Sequence, residues 1–374
     1  MSVFESQVLT TQGPDIEKWR SLIDRCVQKD IYFTPEYAML FEATEGEVKK
    51  AFGGEAQLFF YGNERNYIIY PFLKRKISEL PFRELLPPES QGWFDIISPY
   101  GYSGPIAYIS EPKIEGELWQ CFVKEFSHYC LQNNIVAEFA RLHPYFRNHL
   151  LLEKFTDINI VKRAEVVFID LELDESLIRK SMTKGNKSSV SKARRSGVEI
   201  SQSKSKDDIA AFYQLYTYTM ERSEAKRAYF FSGKFFNDTL QLLDNNVELF
   251  SARYKDQVIA ASLFLFKGDL AHYYLSGSDA DFLSVCPNNL LLYQAMLWAK
   301  EQGYKIFDLG GGFEPNDSLF QFKSSFSKTT ADFYTYSSVH NEEIYEILCQ
   351  TKDRYDKMNG LEIPKGDYFP RYRR

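Results

Sequence analysis

The chain has few of the residues that mark the commoner kinds of protein site. Its five cysteines, Cys26, Cys121, Cys130, Cys286 and Cys349, are scattered and form no C-x-x-C pair. Neither a disulfide framework nor a zinc knuckle is expected, and a reducing cytosol fits best. The five histidines show no H-x-x-x-H spacing and no grouping with cysteine, so no metal is expected. Nowhere do the roughly 18 apolar residues needed for a membrane span run together. The opening MSVFESQVLTTQGPDIEKW has neither a basic start nor an apolar core, so we expect a cytoplasmic protein without an integral membrane segment. Gly310, Gly311 and Gly312 are consecutive rather than spaced as G-x-G-x-x-G at a helix start, which excludes a dinucleotide fingerprint. Basic excess is also missing: 45 Lys and Arg stand against 51 Asp and Glu, a net charge of −6. That removes any global attraction to nucleic acid, and no DNA partner is expected.

What is present is a long, aromatic-rich globular chain. At 374 residues it exceeds what one hydrophobic core usually holds, so two units are expected. Tyrosine (25) and phenylalanine (31) are abundant, which suits a lined groove, because a tyrosine ring packs while its hydroxyl seeks a partner.

The element order repeats. In the first half two β-rich runs flank a Gly-Asn-Glu-Arg-Asn turn in AQLFFYGNERNYIIYPFLKRKI, and DIISPYGYSGPIAY is a third strand. Apolar residues at helical spacing predict a helix over 117–133, and NIVAEFARLH is a further strand. The second half gives a hairpin in VELFSARYKDQVIAASLFLFKG, a strand in LAHYYLSGSD, a helix over 287–302 stopped by Gly303, and a short buried strand in KIFDLGGG. Helices near 15–28 and 34–44 precede the first hairpin, as helices near 207–221 and 232–244 precede the second. This order implies a duplicated fold about a pseudo-twofold relation, with a boundary in the polar stretch near 155–162: residues 1–160 and 161–374.

These strings carry a resemblance. ARYKDQVIAASLFLFKGDLAHYYLSGSD, then PNNLLLYQAMLWAKEQGYKIFDLGGG, then SLFQFKSSFS, together with DIISPYGYSGP in the first half, resemble the Fem-like (peptidoglycan aminoacyltransferase-like), tandem-domain branch of the GCN5-related N-acetyltransferase superfamily. The resemblance covers roughly residues 57–336. It implies a mixed-sheet α/β fold of two tandem N-acetyltransferase-like domains sharing a cleft. It also implies an acyltransferase that forms an amide on an amino group of a cell-envelope precursor or amino sugar. The acceptor would be a small-molecule or lipid-linked precursor, and the donor an aminoacyl-tRNA or an acyl thioester on coenzyme A or an acyl carrier protein. Two features depart from the pattern. The coenzyme A phosphate loop [QR]-x-x-G-x-[GA] is replaced by DADFLSVCPNN, so no tightly bound cofactor is expected and acyl-coenzyme A is at most a co-substrate. The long helical arm of some Fem enzymes is absent. A non-catalytic binding module on the same fold is the rival reading.

Amide formation needs an amine, a carbonyl held near it, and donors where the oxyanion develops. The resemblance places Lys323 of QFKSSF at the reacting centre. Asp308, inside an apolar strand, is a candidate base if burial raises its pKa, or else a cap for the glycine turn. Tyr100 and Tyr102 alternate with glycines and are expected to line the cleft. Arg222 and Tyr229 close the stretch TMERSEAKRAYFFSG, where an arginine can hold a phosphate or carboxylate. Tyr273 and Tyr274 are adjacent, so at most one faces the cleft; we assign Tyr274 to it, with Ser276, while Tyr293 of the central helix is either a further substrate contact or a residue of core packing. Asn288 and Asn289 remain at the helix start to meet a donor cofactor. The run RKSMTKGNKSSVSKARRSG gathers Lys180, Lys184, Lys187, Lys192, Arg194 and Arg195, either as a face for a phosphate-rich substrate or as a solvated basic surface.

Overall fold

A computed structural model describes residues 4–155, 158–314, 316–362 and 366–374. Residues 156–157 of the expected boundary and 363–365 of the C-terminal stretch lie outside this set. The first half runs β1 (Glu5–Thr10), α1 (Pro14–Arg25), α2 (Pro35–Glu42), α3 (Gly46–Phe52), β2 (Glu55–Gly62), β3 (Asn66–Lys76), β4 (Phe94–Ile97), β5 (Ile106–Ile109), α4 (Glu115–Gln132), β6 (Ile135–Arg141), α5 (His149–Leu152) and β7 (Asn159–Asp170). The second runs α6 (Glu175–Ser181), α7 (Lys184–Arg195), β8 (Glu199–Gln202), α8 (Lys206–Arg222), α9 (Gly233–Leu243), β9 (Val247–Tyr254), β10 (Gln257–Lys267), β11 (Leu270–Ser278), α10 (Pro287–Glu301), β12 (Ile306–Gly310), α11 (Ser318–Ser324), β13 (Thr330–Val339) and α12 (Glu342–Met358).

Local chemistry explains the helix starts. Ser205 Oγ accepts from Asp208 N at 3.2 Å and Ser232 Oγ from Phe235 N at 3.2 Å, while Pro287 occupies the first turn of α10, where its missing N–H costs nothing. The expected single strand DIISPYGYSGPIAY is two short ones. β4 pairs with the Leu73–Lys76 end of β3 and β5 with its Asn66–Ile69 end, so the intervening Ser98–Gly104 loop leaves the ladder and presents its tyrosines.

The strands form one continuous mixed sheet in the order β1-β2-β3-β4-β6-β13-β7-β12-β11-β10-β9-β8, with β5 attached to β3. The continuity conceals a duplication. Each half has an antiparallel edge strand (β1, β8), a hairpin (β2–β3, β9–β10), a fourth strand (β4, β11), a covering helix (α4, α10), and a fifth strand parallel to the fourth (β6, β12). The last strand of each is exchanged. β7 follows the first half but pairs with β12, β13 follows the second but pairs with β6, and the two long strands pair with each other along Thr330–Ser337. Two tandem N-acetyltransferase-like units are therefore stitched along a seam, and residue 160 lies at the start of a crossing strand rather than in a linker.

One large apolar cluster spans that seam, joining Tyr37 and Phe41 of α2 to Phe235 and Phe236 of α9, and a second lies between α10 and the outer face of the second half. Helix α8 lies directly on β11 at Gly277, where a Cβ would come within 2.3 Å of Tyr216 N and 2.4 Å of Leu215 C. Backbone cannot yield as a side-chain tip can. The substitution Gly277→Ala is expected to cost about 2 kcal/mol or more by overpacking, read as a lower urea midpoint.

Candidate active site

Strands β11 and β12 run parallel with His272 opposite Asp308, and side chains alternate across a strand, so both residues face the seam while Phe307 and Leu309 face α10. From the first half, Asp30 precedes the turn Ile31–Phe33, and His143 lies two residues beyond β6. These four residues form one buried chain. His272 Nδ1 lies 3.0 Å from Asp308 Oδ2, and its Nε2 is within 3.0 Å of both oxygens of Asp30. His143 Nε2 lies 2.9 Å from Asp30 Oδ2. The other nitrogen, His143 Nδ1, accepts from Tyr145 N at 3.3 Å, so the Nε2 position carries the hydrogen. Asp30, His143 and His272 are wholly inaccessible to solvent.

Burial alone would lower the His272 pKa, but the Asp30 and Asp308 carboxylates reverse it and raise it to about 10, so this imidazole is a cation. His143, with one carboxylate neighbour, stays below its ordinary value because burial wins. Asp30 and Asp308 are both held below the ordinary carboxylate range: burial pushes them up, and His272 with the other donors pulls them down further.

The second finding corrects the expectation that burial makes Asp308 a base. Its Oδ1 accepts from Tyr145 Oη at 2.7 Å and Gly310 N at 2.9 Å, and its Oδ2 faces His272. Every such donor favours the ionised form. Asp308 caps the glycine turn, accepts from Tyr145 and faces the His272 cation.

Gly310 ends β12 with φ +70°, which turns the chain toward α11. Asp317 fastens that turn, its Oδ2 accepting from Phe313 N and its Oδ1 from Phe320 N, each at 2.7 Å. Lys323 then points back into the seam, where Nζ donates to Gly311 O at 2.7 Å. A Cβ on Gly310 would lie 3.3 Å from Lys323 Nζ and 3.9 Å from Tyr102 Oη, so ammonium, phenol and glycine backbone converge at one place. Burial lowers the Lys323 pKa to about 8, against the opposing pull of Asp308 and Asp317.

An aromatic wall continues from this point. Tyr37 Oη donates to Tyr100 O at 2.7 Å and lies 3.2 Å from Tyr274 Oη. Tyr100 packs against Phe52, Tyr229 and Tyr274, and Tyr229 against Phe313 of the glycine loop. The fold thus brings together Lys323, Asp308, Tyr100, Tyr102, Tyr229 and Tyr274.

Other expected residues lie elsewhere. Arg222 Nη1 donates to Ser278 O at 3.1 Å, pinning α8 to a point six residues, about 20 Å, along β11 from His272. Ser276 pairs across to Ser262 and lies beside the Tyr273 hydroxyl. Tyr293 is a core residue on the opposite sheet face, with its hydroxyl donated to Glu175 Oε1 at 2.9 Å. Asn289 Nδ2 donates to Asn186 Oδ1 of α7 at 2.9 Å, and Asn288 shares that first turn of α10. Helix α7 thereby covers the end of α10 where a cofactor was expected. The same helix carries Lys184, Lys187, Lys192, Arg194 and Arg195, with Lys180 on α6, so the basic run packs against α10 and not at the seam.

Sequence reasoning missed Asp30, His143, His272 and Tyr145. The signal available was a lone histidine inside the apolar strand LAHYYL, which a search for metal spacing passes over. Among the described residues no group of His, Cys, Asp and Glu could hold a metal ion, and no helix is long and apolar enough to cross a membrane.

Residues 180–324 match the acetyltransferase (GNAT) domain family. A lipid II:glycine glycyltransferase of Staphylococcus haemolyticus (strain JCSC1435) is 24% identical over 126 residues, 32% of this chain and 30% of that protein. The corresponding enzyme of Staphylococcus aureus (strain USA300) is 26% identical over 106 residues, 26% of this chain and 25% of that protein. The matching stretch thus spans less than a third of these curated relatives. In fold, the crystal structure of FemX superposes with a TM-score of 0.66 at 14% identity, covering 92% of this chain and 99% of that one. A tandem GNAT protein from the clavulanic acid biosynthesis pathway gives 0.51 at 7% identity, covering 91% and 99%. In sequence and in fold the chain is similar to the Fem-like, tandem-domain branch of the GCN5-related N-acetyltransferase superfamily.

Proposed function

We propose that this chain is an acyltransferase that forms an amide on an amino group of a cell-envelope precursor, with Lys323 at the reacting centre. The observation that carries the reading is a buried lysine beside Tyr102 and the backbone of Gly310 and Gly311, in the seam between two acetyltransferase-like units. The acceptor amine attacks the donor carbonyl carbon, and a tetrahedral oxyanion forms within reach of the Lys323 ammonium, which donates to it. The intermediate then collapses. The carbon–oxygen bond of an aminoacyl ester, or the carbon–sulfur bond of a thioester, breaks, the amine proton is lost, and the leaving oxygen or sulfur takes up a proton.

Relatives named as lipid II:glycine glycyltransferases favour a lipid-linked or nucleotide-linked precursor as acceptor. The covering of the α10 start by α7 favours aminoacyl-tRNA or an acyl carrier protein over coenzyme A, because backbone N–H groups at that helix start are what would hold a pyrophosphate. We assign the units as 1–160 and 161–374 with their last strands exchanged, and the protein to the cytoplasm, where its five free cysteines remain reduced.

The test incubates the full chain with UDP-linked muropeptide or lipid II, supplying glycyl-tRNA, an acylated acyl carrier protein or acyl-coenzyme A in separate arms, with mass spectrometry of the product. One added acyl group on the precursor amine is expected. Binding of the precursor, seen as a raised melting temperature, without product from any of the three donors would replace the enzyme with a binding module.

A further inference from the structure

Arg141 ends β6 on the face shared with Phe139, and its guanidinium lies 5.4 Å from the Phe139 ring and 5.7 Å from that of Phe52. Its Nη1 is enclosed without a hydrogen-bond partner, and among the described residues no carboxylate or carbonyl accepts from any of its nitrogens. Arginines of comparable burial differ. Arg75 and Arg373 both bind Asp95, and Arg374 binds Asp353. A guanidinium cannot shed its proton in a protein, so Arg141 is a half-buried cation with no ion-pair partner among the described residues.

The phenol groups nearest in charge interaction to Arg141 are those of Tyr229 and Tyr100. Neither phenol oxygen has a hydrogen-bond partner among the described residues, although Tyr100 and Tyr229 hold each other at 6.1 Å between ring centres. Three polar side chains, one of them a cation, therefore converge with no carboxylate among them. They come from both sides of the seam, Arg141 and Tyr100 from the first half and Tyr229 from the second. The same wall leads through Phe313 to the glycine loop and Lys323.

We propose that Arg141, Tyr100 and Tyr229 bind an anionic group, a carboxylate or phosphate, of the acyl acceptor. A planar guanidinium offers two parallel N–H bonds to either group, and the phenols donate to the remaining oxygens. Holding the anion here fixes how far along the wall the acceptor amine reaches toward Lys323. That last step rests on the acyl-transfer reading; the existence of the site does not.

The experiment titrates the full chain with methyl phosphate and with N-acetylglycine at constant ionic strength, chloride serving as control, and reads affinity by calorimetry. One of the two probes is expected to bind, which names the anion. Arg141→Gln should weaken it at least tenfold, and Arg141→Lys should retain part of the affinity, because charge remains but the two-pronged geometry is lost. Should the glutamine variant not fold, the lysine variant and Tyr229→Phe decide, each expected to weaken binding severalfold with an unaltered melting temperature. Wild-type affinity in these variants, or no binding of either probe to the wild type, overturns the site. Because no donor or turnover is involved, a protein that transfers nothing still gives this result. Conversely, an active enzyme whose acceptor KM is unmoved by Arg141→Lys loses the site and keeps the activity.

Discussion

Lys323→Met is expected to lower amide formation by at least about a hundredfold, the effect of removing one donor from a developing oxyanion, while the melting temperature stays level or rises. The two halves of that expectation have one cause. Burial holds the lysine pKa at about 8 against 10.5 for a free side chain. Keeping it charged in the folded protein at neutral pH therefore costs about 3 kcal/mol. A group whose folded pKa is depressed makes the fold more stable as pH rises from the folded toward the unfolded value, here between about 8 and 10.5. Methionine removes the penalty and fills similar space, at the loss of one hydrogen bond to Gly311. The pH profile gives a second reading. If the ammonium is the working form, activity falls as pH passes about 8, and Lys323→Arg moves that limb upward. A methionine variant that keeps its rate, or that unfolds readily, removes Lys323 from the chemistry.

His272→Phe is expected to produce the largest loss of stability, about 3–5 kcal/mol, because it strands Asp30 and Asp308 as two buried carboxylates without their shared cation. The folded pKa of His272 lies at about 10, above the ordinary 6.5. Its contribution is therefore complete below about 6.5 and disappears as pH rises through about 10. Lys323 has the opposite slope above pH 8, so the difference between wild type and variant is the quantity to follow. Urea midpoints at pH 6 and pH 9.5 should show a wide gap at the lower pH and a narrower one at the higher. A gap that is constant with pH would mean that packing, not the charge chain, accounts for the loss.

Both predictions involve residues that stood differently before the fold was seen. Lys323 was legible because SLFQFKSSFS is a contiguous string and its resemblance needs no tertiary information. Asp308 was legible as an unusual residue in an apolar strand, but the sequence left open whether it is a base or a cap for the glycine turn. A pKa depends on the partners brought to it, and Tyr145 lies 163 residues away. Arg222, Tyr293, Asn288 and Asn289 were chosen by place in a pattern; the fold commits Arg222 to Ser278, Tyr293 to Glu175 and Asn289 to Asn186 of α7, with Asn288 in the same covered first turn of α10.

By itself the sequence determined what short-range periodicity and turn chemistry encode: two hairpins, the helices before and after them, and the repetition of that order. These depend on neighbours within one turn or one strand pair, which any stretch of chain carries with it. Only the tertiary structure decided the exchange of β7 and β13 and the meeting of Asp30 with His143 and His272, residues 113 and 242 positions apart. The reason is physical: a strand's choice of partner and a buried ion's choice of counter-ion are settled by which surfaces close against each other, and no local stretch of sequence records that.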